Sequence, residues 1–230
     1  MAVQSQLLQS MTKIKSIIFD YDGVIAESVN VKTEAFAELY KPFGKDIVQK
    51  VMKHHESNGG VSRFEKFKIY HKSYLKEDID QLKVDELANK FSNLVLQKVI
   101  DSPYVKGVYD FISSNYQKYD FHISTGTPID EIKIILKRKF LRKFFKEVFG
   151  SPEKKDLHIK KILNIYGYDR SEVVFIGDAL SDRDAAKNND INFIGRYTTI
   201  EQIKEEKLLI NDFTELEIIL NKLNTEKNHK

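Results

Sequence analysis

A chain of 230 residues can bury one good-sized core with a small accessory unit, and it is short for two full domains. Hydrophobic residues at 41% and charged residues at 31% exclude disordered and collagen-like classes. A net charge of +3, with lysines scattered among acids, argues against a nucleic-acid partner, and the absence of cysteine leaves oxygen or histidine as the donors for any metal.

No segment approaches the roughly 18 apolar residues of a membrane span, and residues 1–10 lack a basic start followed by an apolar run. The expectation is a cytoplasmic protein with no membrane partner and an N-terminal extension over 1–13. The first apolar run, Ser16-Ile17-Ile18-Phe19, stops at Asp20-Tyr21-Asp22-Gly23, as a buried parallel strand does at a polar turn. Residues 30–101 then carry only helical patterns, Val31 to Tyr40, Asp46 to His55, Arg63 to Leu75 and Glu86 to Ile100, with a loop at Asn58-Gly59-Gly60. This stretch is expected to be an inserted helical cap. Phe64, Phe67 and Tyr70 have the spacing of its core, while His54, His55 and Lys68 read as surface residues.

From Ser102-Pro103 the pattern alternates. Helices are expected at Val105 to Gln117, Ile129 to Lys139, Leu157 to Tyr166 and Asp182 to Asn188. Strands are expected at Phe121 to Ser124, Val148-Phe149, Val173 to Ile176 and Ile191 to Ile194, and the Lys-rich tail after Asn224 is expected to fray. The fold class is therefore α/β, a doubly wound parallel sheet built from 14–29 and 102–230, with its ligand crevice beyond the carboxyl ends of the strands.

Polar turns follow three of those strands. Asp20 and Asp22, two apart where a strand breaks into a loop, can act as nucleophile and as acid/base. Gly177-Asp178-Ala179-Leu180-Ser181-Asp182 brings a second acidic cluster, and a hard cation such as Mg2+ would suit Asp20, Asp178 and the main-chain carbonyl of Asp22. Asp182 would hold metal-bound water or Lys155, with Asp184 competing for that role. Thr125-Gly126 offers a hydroxyl and backbone amides to phosphate oxygens, with Ser124 as the neighbouring alternative. Gly150 to Lys155 supplies a cation, Lys155 or in reserve Lys154.

Four motifs in this order, Asp-x-Asp, Ser/Thr, Lys and Gly-Asp-x-x-x-Asp, resemble the signature of the haloacid dehalogenase-like hydrolase superfamily over Ile17 to about Arg196. The resemblance implies Asp20 as nucleophile, Asp22 as acid/base, Thr125 and Lys155 on the phosphate, and Asp178 on magnesium. Asp22 points to phosphate esters, because the branches that cleave carbon-halogen or carbon-phosphorus bonds replace it. The cap looks like that of phosphoglycolate phosphatase-like and β-phosphoglucomutase-like proteins, and Gly60-Val61-Ser62-Arg63 is similar to a substrate loop of the mutases, in which the arginine binds the far end of a sugar phosphate; pairing of Arg63 with a surface glutamate is the alternative. Lys32 stands where those mutases usually carry a histidine. The expected partner is a small phosphorylated metabolite, a sugar phosphate or phosphorylated carboxylic acid, and the expected activity is a phosphatase acting as a monomer or homodimer. A mutase and a non-catalytic binding protein are the alternatives.

Overall fold

Alternation within the first strand lays down both layers of the molecule. In β1 (Ser16–Phe19), Ile17 and Phe19 enter one apolar cluster and Ile18 enters the other, so the strand is buried on both faces. It is followed by β2 (Asp120–Pro128), β3 (Phe145–Ser151), β4 (Val173–Gly177), β5 (Asn192–Arg196) and β6 (Leu209–Ile210). Their order in the sheet is β3-β2-β1-β4-β5-β6, and every pairing is parallel. The chain leaves β1 toward β2 on one side and returns as β4 on the other. The ends of β1 and β4 thus flank the point where the strand order reverses, where a doubly wound sheet opens a crevice. This computed structural model describes residues 14–197 and 201–225. The extension expected over 1–13 and the tail beyond Thr225 lie outside the described residues.

Between β1 and Ser102 run four α-helices, α1 (Val29–Tyr40), α2 (Lys45–Ser57), α3 (Arg63–Tyr70) and α4 (Gln81–Asp101). Phe36 of α1 gathers them, its ring lying 4.5 Å from Phe91, 5.6 Å from Tyr70 and 5.7 Å from Phe67. Phe67 and Tyr70 are fully buried and Phe64 packs on the same cluster, as their spacing predicts. The remaining helices are α5 (Val108–Asn115), α6 (Ile129–Arg138), α7 (Lys155–Tyr166), α8 (Leu180–Asn188), α9 (Glu201–Lys204) and α10 (Leu216–Thr225). Among the described residues, no helix is long and apolar enough to cross a membrane.

Several boundaries differ from the expected ones for identifiable reasons. The strand expected to stop at Ser124 continues to Pro128, through a register shift against β3. The helix expected from Glu86 starts at Gln81, because the Asp80 carboxylate accepts the Lys83 N–H at 2.8 Å and caps it. The helix expected from Val105 starts at Val108, after Gly107 turns the chain with φ of 77°. α3 ends at Tyr70 and passes into one wider turn over His71–Leu75. β6 and α10 follow runs too short or too mixed to announce themselves.

Candidate active site

Asp20 is the first residue past β1, and its N–H donates to the Ile176 carbonyl of β4 at 3.0 Å, which ties the two strand ends together. The residue is 2% exposed. One carboxylate oxygen, Oδ1, accepts the Tyr21 N–H at 2.6 Å, and the other, Oδ2, accepts from the Lys155 ammonium at 2.9 Å. Gly23 turns the loop onward with φ of 74°. A Cβ there would stand 2.0 Å from Asp178 Oδ2, so the loop needs glycine to pass the second acidic cluster.

Lys155 opens α7 and bridges Asp20 to Asp182. Burial opposes the lysine's charge, but Asp182 and Asp20 outweigh it and hold the ammonium above its ordinary range. Asp182 is fully buried, with Oδ1 on Lys155 and Oδ2 on the Ala179 N–H at 3.1 Å; burial and Asp20 push it up to about 7 against the pull of Lys155. Asp178 is driven well above the carboxylate range by burial and by the Asp20 and Asp182 carboxylates. Ligand atoms of Asp20, Asp178 and Asp182 all lie within 4.8 Å of one another. Three buried acids sharing one lysine leave negative charge in excess, and a hard divalent cation taking carboxylate oxygens fits that donor set. Asp182, with both oxygens already engaged, supports Lys155, whereas Asp178 makes no hydrogen bond to the described residues and is the carboxylate open to a cation.

Asp22 turns toward the helices. Its carboxylate pairs with Lys32 of α1 and accepts from the Ser28 hydroxyl at 2.7 Å and the Thr127 hydroxyl at 3.0 Å. Lys32 also donates to Thr127 Oγ1 at 2.7 Å. Burial pushes the Asp22 carboxyl up, yet Lys32 and the two hydroxyls outweigh it and hold it below the ordinary range. Thr127 is a site residue that the sequence reading missed, because the strand continues past Ser124 and carries this hydroxyl to Asp22. Thr125 is 1% exposed, accepts the Thr127 N–H at 3.2 Å and lines the cavity with Gly126. Ser124, the alternative, is turned away toward His158 Nδ1 at 2.8 Å. Lys154 is exposed beside Glu65, and Asp184 is exposed beside Arg183; both line a second cavity next to Lys155, and neither shares the buried ion pairs that join Lys155 to Asp20 and Asp182.

The helical insertion closes over these groups through the loop between α2 and α3. The Ser181 hydroxyl donates to the Gly59 carbonyl at 3.0 Å. A Cβ on Gly60 would lie 2.3 Å from Ser181 Oγ and 2.9 Å from Lys155 Nζ, and one on Gly126 would lie 2.6 Å from the Gly60 carbonyl oxygen. Gly126 is needed where it meets the Gly60 backbone, and Gly60, with φ of 73°, where it meets the side chains of Ser181 and Lys155. Arg63 lines the cavity, but its guanidinium is committed: it makes two parallel bonds to Glu131 of α6 at 2.8 and 3.0 Å, donates to Ser92 at 2.8 Å and lies over the Phe91 ring. It clamps the insertion to the sheet unit.

His55, expected on the surface, is buried at 7% exposure, with Nδ1 2.7 Å from the ammonium nitrogen of Lys66. His54 points elsewhere, to the Tyr70 hydroxyl at 3.3 Å, and Lys68 is exposed as expected. The correction has a readable signal. Arg63, Lys66, Phe67 and Tyr70 stand at i, i+3, i+4 and i+7, so Lys66 lies on the apolar stripe of α3, and His55 follows Val51 by four on α2.

Comparison with known proteins places this geometry. The chain is 27% identical over 212 residues to a phosphorylated carbohydrates phosphatase of Thermotoga maritima, covering 86% of this chain and 90% of that protein. Its fold is shared with the β-phosphoglucomutase of Clostridium difficile, at 17% identity and a TM-score of 0.71 over 91% of this chain and 98% of the other. A predicted phosphoglycolate phosphatase of Haemophilus somnus 129PT aligns at 16% identity and a TM-score of 0.70 over 92% and 99%. The model describing haloacid dehalogenase-like hydrolases matches residues 17–196, the whole stretch from β1 through β5, and the chain belongs to that family.

Proposed function

We propose that this enzyme is a magnesium-dependent phosphatase that hydrolyses a small phosphomonoester, a sugar phosphate or phosphorylated carboxylic acid, by way of a phosphoryl group carried on Asp20. The observation behind the reading is the setting of Asp20: a buried carboxylate anchored by the Tyr21 amide and by Lys155, in the wall of a cavity also lined by Asp22, Thr125 and Gly126. Such a carboxylate is fixed for in-line attack on phosphorus and cannot rotate away.

In this mechanism the Thr125 hydroxyl, the Gly126 amide and Lys155 hold the non-bridging phosphate oxygens and take up charge as it develops. Asp22 passes a proton to the leaving oxygen and afterwards accepts one from water, with Ser28 and Thr127 fixing its orientation. A magnesium ion held by Asp20, Asp178 and the carbonyl of Asp22 would neutralise phosphate charge at the strand ends. The Gly59-Gly60 loop, seated on the core, covers part of the cavity and limits the access of bulk water.

The test is phosphate release from a panel of phosphorylated metabolites, with magnesium and with chelator, for wild type beside Asp20→Asn. Loss of about 10,000-fold in kcat on substitution and dependence on added metal are expected; an active Asp20→Asn protein sinks the reading. The likeness in fold to a β-phosphoglucomutase keeps a mutase as the second reading. Product analysis separates them, because a mutase primed with a bisphosphate yields an isomerised sugar phosphate and little free phosphate.

A further inference from the structure

Three cations of the helical insertion line the cavity: Lys32, Arg63 and Lys66. Lys32 is ion-paired with Asp22, and Arg63 with Glu131. Lys66 is 1% exposed and has no carboxylate partner among the described residues; its contacts are the neutral ring of His55 and the face of Phe36, whose centroid lies 5.7 Å away. Glu56 also lines the cavity, but it is exposed and makes no ion pair with Lys66. Burial, then the charges of Lys32 and Lys155, push the Lys66 amine well below its usual range, and burial with Lys66 itself drives His55 down to about 2. A buried ammonium without a counter-ion is costly, and a fold that only needed volume here would be better served by methionine or leucine.

We propose that Lys66, backed by His55, holds a second anionic group of the substrate, remote from the transferred phosphate, so that the substrate is a phosphomonoester that also bears a carboxylate or a further phosphate. This rests on the phosphatase reading and narrows it. His55 Nδ1 accepts one ammonium N–H, which leaves the other two for an anion entering the cavity. The two residues bracket the Gly59-Gly60 loop, so a ligand that engages them also bears on the segment seated over Lys155. Arg63, held by Glu131 and Ser92, is the clamp beside this subsite and not its anion ligand.

The experiment measures binding to the Asp20→Asn protein by calorimetry, so that it does not depend on turnover. The ligands share a six-carbon frame: glucose 6-phosphate, 6-phosphogluconate and glucose 1,6-bisphosphate. At least one of the doubly anionic ligands is expected to bind about tenfold or more tighter than glucose 6-phosphate, which also tells carboxylate from phosphate. Lys66→Met should abolish that advantage, Lys66→Arg should retain part of it, and glucose 6-phosphate should bind Lys66→Met as before. The melting temperature of Lys66→Met should rise, since a purely structural lysine would lower it on removal. Equal weakening of all three ligands places Lys66 on the common phosphate and overturns the proposal. A set in which the second charge makes no difference, including one in which none binds, overturns it too. Absence of phosphate release by wild type with the charge preference intact would instead count against the phosphatase reading alone.

Discussion

On the sheet side of the cavity the charge is acidic, and on the helical side it is basic, and the two are held by different means. Asp20, Asp178 and Asp182 gather beside one lysine near the ends of β1 and β4, Asp20 and Asp182 fixed by main-chain amides of the turns that carry them. Lys32, Arg63 and Lys66 come from helices, and two of the three find their carboxylates on the other unit, Lys32 at Asp22 and Arg63 at Glu131. The acidic side is therefore built within one rigid layer, while the basic side is completed only when the insertion lies on the sheet. Electrostatic attraction across the cavity becomes part of what keeps it shut.

That difference is broken most severely at Arg63. Arg63→Met leaves Glu131, 6% exposed, as a buried carboxylate without its cation, a class of change that costs about 3–5 kcal/mol. A fall in melting temperature is expected, and the double variant Arg63→Met, Glu131→Met should recover most of it, because an apolar pair of similar volume replaces a buried ion pair at little cost. Chemical denaturation of the two single variants and the double variant measures this directly. A double variant as unstable as the single one would mean that the clamp acts through Ser92 and Phe91, and not through the ion pair.

The seam between the units is the next target. Gly126→Ala places a methyl 2.6 Å from the Gly60 carbonyl and forces the loop off the core, while the strand-end carboxylates stay in place. A misfit of about 1 Å in a catalytic arrangement costs on the order of 100-fold in rate. Activity is expected to fall by about that factor in kcat/KM with the melting temperature nearly unchanged. Unaltered kinetics would show that closure by this loop is not required.

The same contrast decides what could be read in the amino-acid order. Asp20, Asp22, Thr125, Lys155, Asp178 and Asp182 were legible because parallel strands end together, so polar residues that follow apolar runs must meet. Five of the six strands of the parallel sheet and the helical character of the insertion were legible for the same reason of period and alternation, whereas β6 and the order of the strands were not. The partners supplied by packing were not. Glu131 sits in an unremarkable first turn of α6, and Thr127 in the part of β2 that runs past its apolar core. His55 read as surface because it adjoins a second histidine, although its spacing from Val51 put it on a buried face. Arg63 was expected either to meet the substrate or to pair with a surface glutamate; it lines the cavity and pairs with Glu131, a buried glutamate that no local pattern announces.

The smallest and most specific effect is expected at Lys32. Its ammonium outweighs burial and holds the Asp22 carboxyl below the ordinary range, together with Ser28 and Thr127. Lys32→Met removes the attraction and keeps the burial, so the Asp22 carboxyl rises. If Asp22 must be ionised to take a proton from water, the acidic limb of the kcat profile moves to higher pH, by about one unit or more. The stability follows the same sign. A carboxyl depressed in the folded state contributes stability above its unfolded pKa of about 3.9 and loses it as pH falls through the folded value, so the variant should lose stability at neutral pH and converge with wild type in acid. Paired pH–rate and pH–stability curves test both at once. A limb that stays put while stability falls would mean that Lys32 holds the insertion against the sheet without tuning the acid/base group, and the charge contrast across the cavity would then be structural on that side.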